Sequence, residues 1–194
     1  MAIRPAILNE SFAHGWQAEI LETPPLISPS AQYVYPQAVE EVERGALQIL
    51  LRPQKGSAPA LLTFALGFAD LSLPHGIWSC PNANQICAIA GGYAYIVDAR
   101  TPAQWMQIPY RPVTAVYAAP EQALLIFSSF HQLWALGTNG KAWETALLSW
   151  EGLRVTNISN GQLEGFGWDM HTDREVSFAV DLATGFHTGG AGAK

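Results

Sequence analysis

The stretch "GWDMHTDREV", residues 167–176, holds the densest cluster of groups able to do chemistry. In an extended chain Asp169, His171, Asp173 and Glu175 alternate onto one face, because strand side chains have a period of two. Carboxylates beside an imidazole suit a divalent metal or general acid–base hydrolysis. Asp169, His171 and Asp173 are therefore the candidate catalytic and metal-binding residues, and a metal- or carboxylate-dependent hydrolase is one reading of the chain. The other reading of this stretch is a solvated hairpin tip between "QLEGFGW" and "VSFAVDL". Asp and Thr are common in tips, and a turn destroys the alternation. The tip is the expectation.

Other polar residues point less clearly to a reaction. Asp98 and Asp181 precede similar turn-like stretches, where an Asp side chain bonds the backbone two residues on and fixes the turn. His14, His75, His131, His171 and His187 lack any partner at metal-ligand spacing. No Ser lies in a G-x-S-x-G elbow. Cys80 and Cys87 are expected as reduced, buried thiols, since zinc would want a second closely spaced pair. No cofactor is expected.

"LWALGTNGKAW", residues 133–143, has Gly137, Gly140 and Lys141. A Walker-type phosphate loop needs four residues between its glycines and a Ser or Thr after the Lys. Here two residues intervene and Ala142 follows. Asn139–Gly140 between apolar runs instead predicts a two-residue hairpin with a type I′ turn.

The elements that position these residues are strands. Short apolar runs bounded by turn residues begin at residue 46: "ALQILL", "ALLTFAL", "GIWSC", "QICAIAG", "YAYIVDA", "QWMQIPY", "VTAVYAA", "ALLIFSSF", "QLWALG", "AWETALLSW", "LRVTNIS", "QLEGFGW", "EVSFAVDL" and "FHTGG". None keeps a helical period. Aligning Asp98, Leu136 and Asp181 places Trp105 on Trp143 and Gly140 on Gly185, each unit reading strand, strand, strand, tight turn, strand. Four-stranded units of this length are the pattern of propeller blades. "LQILLRPQKGSAPALLTFA", with Gly56 in its turn, reads as the end of an irregular first unit. The fold class is all-β, a small propeller-like domain of repeated four-stranded antiparallel units, with an antiparallel sandwich as the alternative.

One domain is expected over residues 1–194. Residues 1–45 form an extended, Pro-rich segment lying over the surface, with a short helix over "QAVEEVERG". Residues 46–190 form the repeated units. "AQYVYP" is a candidate strand for closing a ring against the last blade.

Charge narrows the partners. The chain carries ten Lys plus Arg against sixteen Asp plus Glu, with no basic run, so nucleic acid is not expected. The N-terminus has no long apolar region, and "PALLTFALGFADL" is too short for a bilayer. A cytoplasmic protein without membrane contact is expected. Among the tryptophans, Trp105 and Trp143 suit a packed layer between units. Trp150 borders a turn and joins Tyr33 and Tyr35 as candidate partner-binding residues.

The blocks "AGGYAYIVDARTP", "RPVTAVYAAPEQALLIFSSF", "LSWEGLRV" and "GFGWDMHTDREVSFAVDLATGFHTGG" resemble a group of short bacterial proteins of uncharacterised activity. The resemblance spans roughly residues 75–190 and implies a β-rich, propeller-like domain. It supplies no catalytic residues. The sequence thus favours a binding module whose partner is another protein. The hydrolase and a small-ligand or carbohydrate binder are the alternatives.

Overall fold

The computed structural model describes residues 5–36, 42, 44–54 and 58–192. The expected helix over 37–45 and the Gly56 turn fall almost wholly outside the described residues. The chain divides into two compact units, Met1–Pro112 and Val113–Lys194.

The first unit contains β1 (Ile7–Asn9), β2 (Trp16–Leu21), β3 (Ala31–Tyr35), β4 (Ala46–Pro53), β5 (Ala60–Ala65), β6 (Gly76–Ser79), β7 (Gln85–Ala90), β8 (Tyr93–Asp98) and β9 (Trp105–Gln107). They form a sheet ordered β2-β4-β5-β3 and a second ordered β1-β6-β7-β8-β9. The second unit contains β10 (Ala115–Ala119), β11 (Leu124–Ser128), β12 (Leu133–Gly137) and β13 (Gly140–Glu144), consecutive in one sheet. A further sheet consists of β14 (Leu153–Ser159), β15 (Gln162–Asp169), β16 (Arg174–Asp181) and β17 (His187–Gly189). The protein is all-β and propeller-like in its repeated, mostly antiparallel units.

Each apolar run noted in the sequence carries one of these strands. β5, β11 and β12 are buried at every position, as continuous apolar runs require. β15 alternates between exposed or half-buried and buried positions, so one of its faces packs more deeply than the other. The repeat register also holds. Trp105 stands opposite Val97, and Trp143 stands opposite Ala135, each one residue before the aligned Asp98 and Leu136.

The N-terminal segment differs from expectation. Rather than lying over the surface, it supplies β1, β2 and β3. "AQYVYP" does not pair with the last sheet: β3 lies parallel to β5, with Tyr33 opposite Leu62 and Tyr35 opposite Phe64. Likewise β1 pairs in parallel with β6. The β4–β5 hairpin is therefore the middle of its sheet, not the end of one. Parallel neighbours come from chain segments far apart in sequence, so local pattern does not reveal them.

The turns correct a second expectation. Around "TNG", Gly137 pairs with Gly140, so the loop residues are Thr138 and Asn139. Neither has a positive φ; Gly140 does, at 112°. The positive φ falls on the residue after the loop, as in a bulged hairpin, and not on both loop residues as type I′ demands. The type I′ signature occurs at the other Asn-Gly pair. Asn160 (51°) and Gly161 (74°) join Ser159 and Gln162 directly.

An apolar core lies between the two sheets of each unit. In the first, Trp16, Tyr35, Ile49, Leu62, Phe64, Ile77 and Tyr95 pack together. In the second, Ile126, Leu133, Trp143, Leu148, Leu163, Phe178 and Val180 do so. Full burial of such side chains stabilises by about 1.5–3 kcal/mol each before conformational entropy is charged against it.

Candidate functional site

Aspartates fix turns throughout. Asp98 accepts hydrogen bonds from the backbone N–H groups of Arg100 and Thr101 at 2.9 and 2.8 Å. Asp181 accepts from the N–H and hydroxyl of Thr184 at 2.9 and 2.8 Å. The Thr184 hydroxyl bond, followed by the backbone bonds, holds the Asp181 carboxyl below its usual range.

Asp169 does the same work at the β15–β16 turn. It ends β15 opposite Arg174, and Met170–Asp173 form the turn. It is 9% exposed. One carboxylate oxygen accepts from the Thr172 hydroxyl (2.7 Å) and the other from the His171 N–H (3.1 Å). These bonds, the hydroxyl foremost, hold the carboxyl below its ordinary range, and it stays ionised. Asp173 is exposed, with a left-handed φ of 54°. His171 is exposed and sets its ring edge-on against Trp150, centroids 5.7 Å apart at 89°. Asp169, His171 and Asp173 thus have three separate roles in one hairpin tip. Among the described residues, no group of three His, Cys, Asp or Glu side chains converges as a metal site.

Trp150 lies on a built platform. Three connections meet at this end of the second unit: residues 129–132 between β11 and β12, 145–152 between β13 and β14, and 170–173 between β15 and β16. Ser149 braces the second of them against β15. Its hydroxyl donates to the Gly152 carbonyl (2.6 Å) and accepts from the Trp168 and Glu151 N–H groups (2.8 and 3.1 Å). The Leu148 N–H donates to the His131 carbonyl (2.8 Å), and the Gly152 N–H to the Phe130 carbonyl (2.9 Å). The Trp150 N–H donates to the Trp168 carbonyl (2.9 Å). On this platform Phe130, Trp150 and Met170 stand 44%, 36% and 54% exposed.

Phe130 and Met170 were not singled out from the sequence. Their signal is an apolar residue placed between polar turn residues, in "SSFHQ" and "WDMHT", where no core pattern calls for one. The loops also present Glu151, Asp173, His131 and His171 to solvent.

The other binding candidates separate. Tyr35 is 1% exposed and belongs to the core. Its ring stacks on Phe64 (4.9 Å, 17°) and meets Trp105 edge-on (5.4 Å), and its hydroxyl donates to the Pro102 carbonyl at 2.7 Å. Burial, then the neighbouring Tyr33, pushes that hydroxyl's pKa up. It is therefore not a partner-facing residue. Tyr33 is half-buried and lines a cavity of about 240 Å³ with Pro102, Ala103 and Trp105. In the second unit Trp143 plays a part parallel to that of Tyr35. It is buried and donates from Nε1 to the Leu182 carbonyl at 2.7 Å. Cys80 and Cys87 are free and buried, and burial raises both thiol pKa values, keeping them protonated. Burial lowers the pKa of His75 in its wall position beside Ala6 and Leu47. No helix among the described residues is long and apolar enough to cross a membrane.

No family model and no curated protein matches the chain. Among solved structures, the crystal structure of the N-terminal domain of Nup159 aligns with 97% of this chain and 53% of its own, at 14% identity and a TM-score of 0.38. A Saccharomyces cerevisiae complex of a Dbp5 variant with Nup159, a Gle1 variant, IP6 and ADP aligns over 91% of this chain and 49% of the matched one, at 15% identity and 0.36. The chain spans about half the length of the solved chains it matches.

Proposed function

We propose that the protein is an interaction module that docks another protein on the loop platform of the Val113–Lys194 unit. A single observation carries this reading: Phe130, Trp150 and Met170 are each exposed, on loops at one end of the unit that backbone and Ser149 hydrogen bonds and the Trp150–His171 ring contact hold in place. Exposed aromatic and Met side chains on a preorganised surface are the usual anchors of an interface, because little conformational entropy is lost when they are covered. The geometry around Asp169 favours no second reading, since both its oxygens are engaged in the turn. A cytoplasmic setting belongs to this proposal. It is supported by two unbonded, buried thiols, which suit a reducing compartment. Kinship with the short bacterial proteins named above belongs to it as well.

The test compares immobilised wild-type protein with Trp150→Ala and Phe130→Ala, and with Leu71→Ala on the other unit's surface. Quantitative mass spectrometry of the captured proteins reads the outcome. A partner retained by the wild type and by Leu71→Ala, and lost from both platform variants, supports the proposal. A partner retained equally by all four overturns it.

A further inference from the structure

The same platform carries a charge pattern that specifies its partner further, given that the platform is the docking site. The three loops, 129–132, 145–152 and 170–173, hold two acidic residues, Glu151 and Asp173, and no Lys or Arg. Both acids are exposed and lie within three residues of Trp150 or Met170 along the chain. Asp169, at the foot of the third loop, adds a carboxylate that its turn keeps ionised. On the flanking strands, Arg174 at the start of β16 is exposed, while Arg154, second in β14, is paired with Glu175 at 3.2 Å. Negative charge therefore outweighs positive charge around a surface whose centre is aromatic. The whole chain leans the same way, with a net charge of −6.

We infer that the platform receives a basic, apolar segment of a partner protein, with Arg or Lys side chains reaching Glu151 and Asp173 while aliphatic or aromatic side chains cover Phe130, Trp150 and Met170. Two physical terms act together. Apolar contact removes the exposed rings from water. A guanidinium laid on an indole face gains cation–π attraction, and carboxylates at its edge complete the charge balance. An acidic segment would meet like charge at two of the three loops. Nucleic acid would meet it too, since its phosphates find no basic stripe.

The test uses three short, end-capped peptides that alternate Leu with Arg, with Gln or with Glu. Each is titrated into the isotopically labelled protein at low salt, following the indole N–H resonance that disappears in Trp150→Phe. The Arg peptide shifts that resonance at the lowest concentration, the Gln peptide needs about tenfold more, and the Glu peptide leaves it unmoved. In the double variant Glu151→Gln, Asp173→Asn the Arg peptide loses its advantage over the Gln peptide, while Asp169 and its turn stay intact. Raising the salt reduces the same advantage in the wild type.

Equal shifts from all three peptides overturn the inference, as does an Arg preference that survives the double variant. The platform reading fails separately: if a captured partner is indifferent to Trp150→Ala, the docking site itself is wrong. If it needs Trp150 but is indifferent to the double variant, docking stands and the basic partner falls.

Discussion

Two hairpin turns occupy corresponding places in the two units, and they are treated in opposite ways. Between β7 and β8 the turn is Gly91–Gly92, with φ values of 56° and 78°. The chain at 66–68 covers it: Gly67 N–H donates to the Ala90 carbonyl and Phe68 N–H to the Gly91 carbonyl, both at 2.9 Å. Phe68 then meets Tyr93 edge-on at 5.7 Å. Between β15 and β16 the turn is Met170–Asp173, and its side chains stand in solvent. Glycines without side chains let another segment of backbone close over a turn. A four-residue turn anchored by an Asp keeps its shape without cover. The covered turn contributes to stability, and the open one leaves its side chains in solvent.

The largest effect expected from this contrast is at Gly91. A Cβ there would stand 2.3 Å from the Phe68 carbonyl oxygen, on a backbone already at positive φ. Gly91→Ala must displace residues 66–68 and should cost about 3 kcal/mol or more in urea unfolding. Gly161→Ala has open space around its Cβ, so only its left-handed backbone is penalised, by about 1–2 kcal/mol. Equal losses would break the comparison.

Next come the two buried donors. Trp143→Phe leaves the Leu182 carbonyl without its 2.7 Å partner, and Tyr35→Phe does the same to Pro102. Each should lose about 1–3 kcal/mol, measured in the same unfolding experiment, since the acceptor is left dry. Trp150→Ala, on the open platform, should change stability by only about 0.5–1 kcal/mol while abolishing partner capture.

The smallest effect is on pH dependence. Because the folded turn lowers the pKa of Asp169, its stabilisation is present above the unfolded carboxyl's pKa near ~4 and is lost as pH falls through the lower folded value. In Asp169→Asn, thermal midpoints measured from neutral to acid pH should fall less steeply than in the wild type. An unchanged slope would mean that the carboxylate does not hold the turn.

Much of this architecture was legible in the residues themselves. Continuous and alternating apolar runs marked the strands, because burial on two faces or one dictates which positions tolerate polarity. The shared register of Trp105 and Trp143 came from the repeat. The turn roles of Asp98 and Asp181 followed from short-range side-chain bonding. Less visible was whatever depended on distant segments. The burial of Tyr35 needs β5 beside it, and the parallel pairing of β1 and β3 has no local signature. Asn-Gly occurs twice, yet adopts two loop geometries. At 139–140 the strands pair up to Gly140 and displace the positive φ; at 160–161 they stop one residue either side. The platform was half legible. Trp150 stands out at a turn in the sequence, whereas Phe130 sits at the same end of the unit only through the packing of three loops that are separate in sequence.

The most direct test of the docking account is amide hydrogen exchange on the protein alone and bound to a captured partner. Protection confined to residues 129–132, 145–152 and 170–173, with 66–68 and 91–92 unchanged, is the predicted result. Protection at 66–68 and 91–92 with none at the three loops would contradict it.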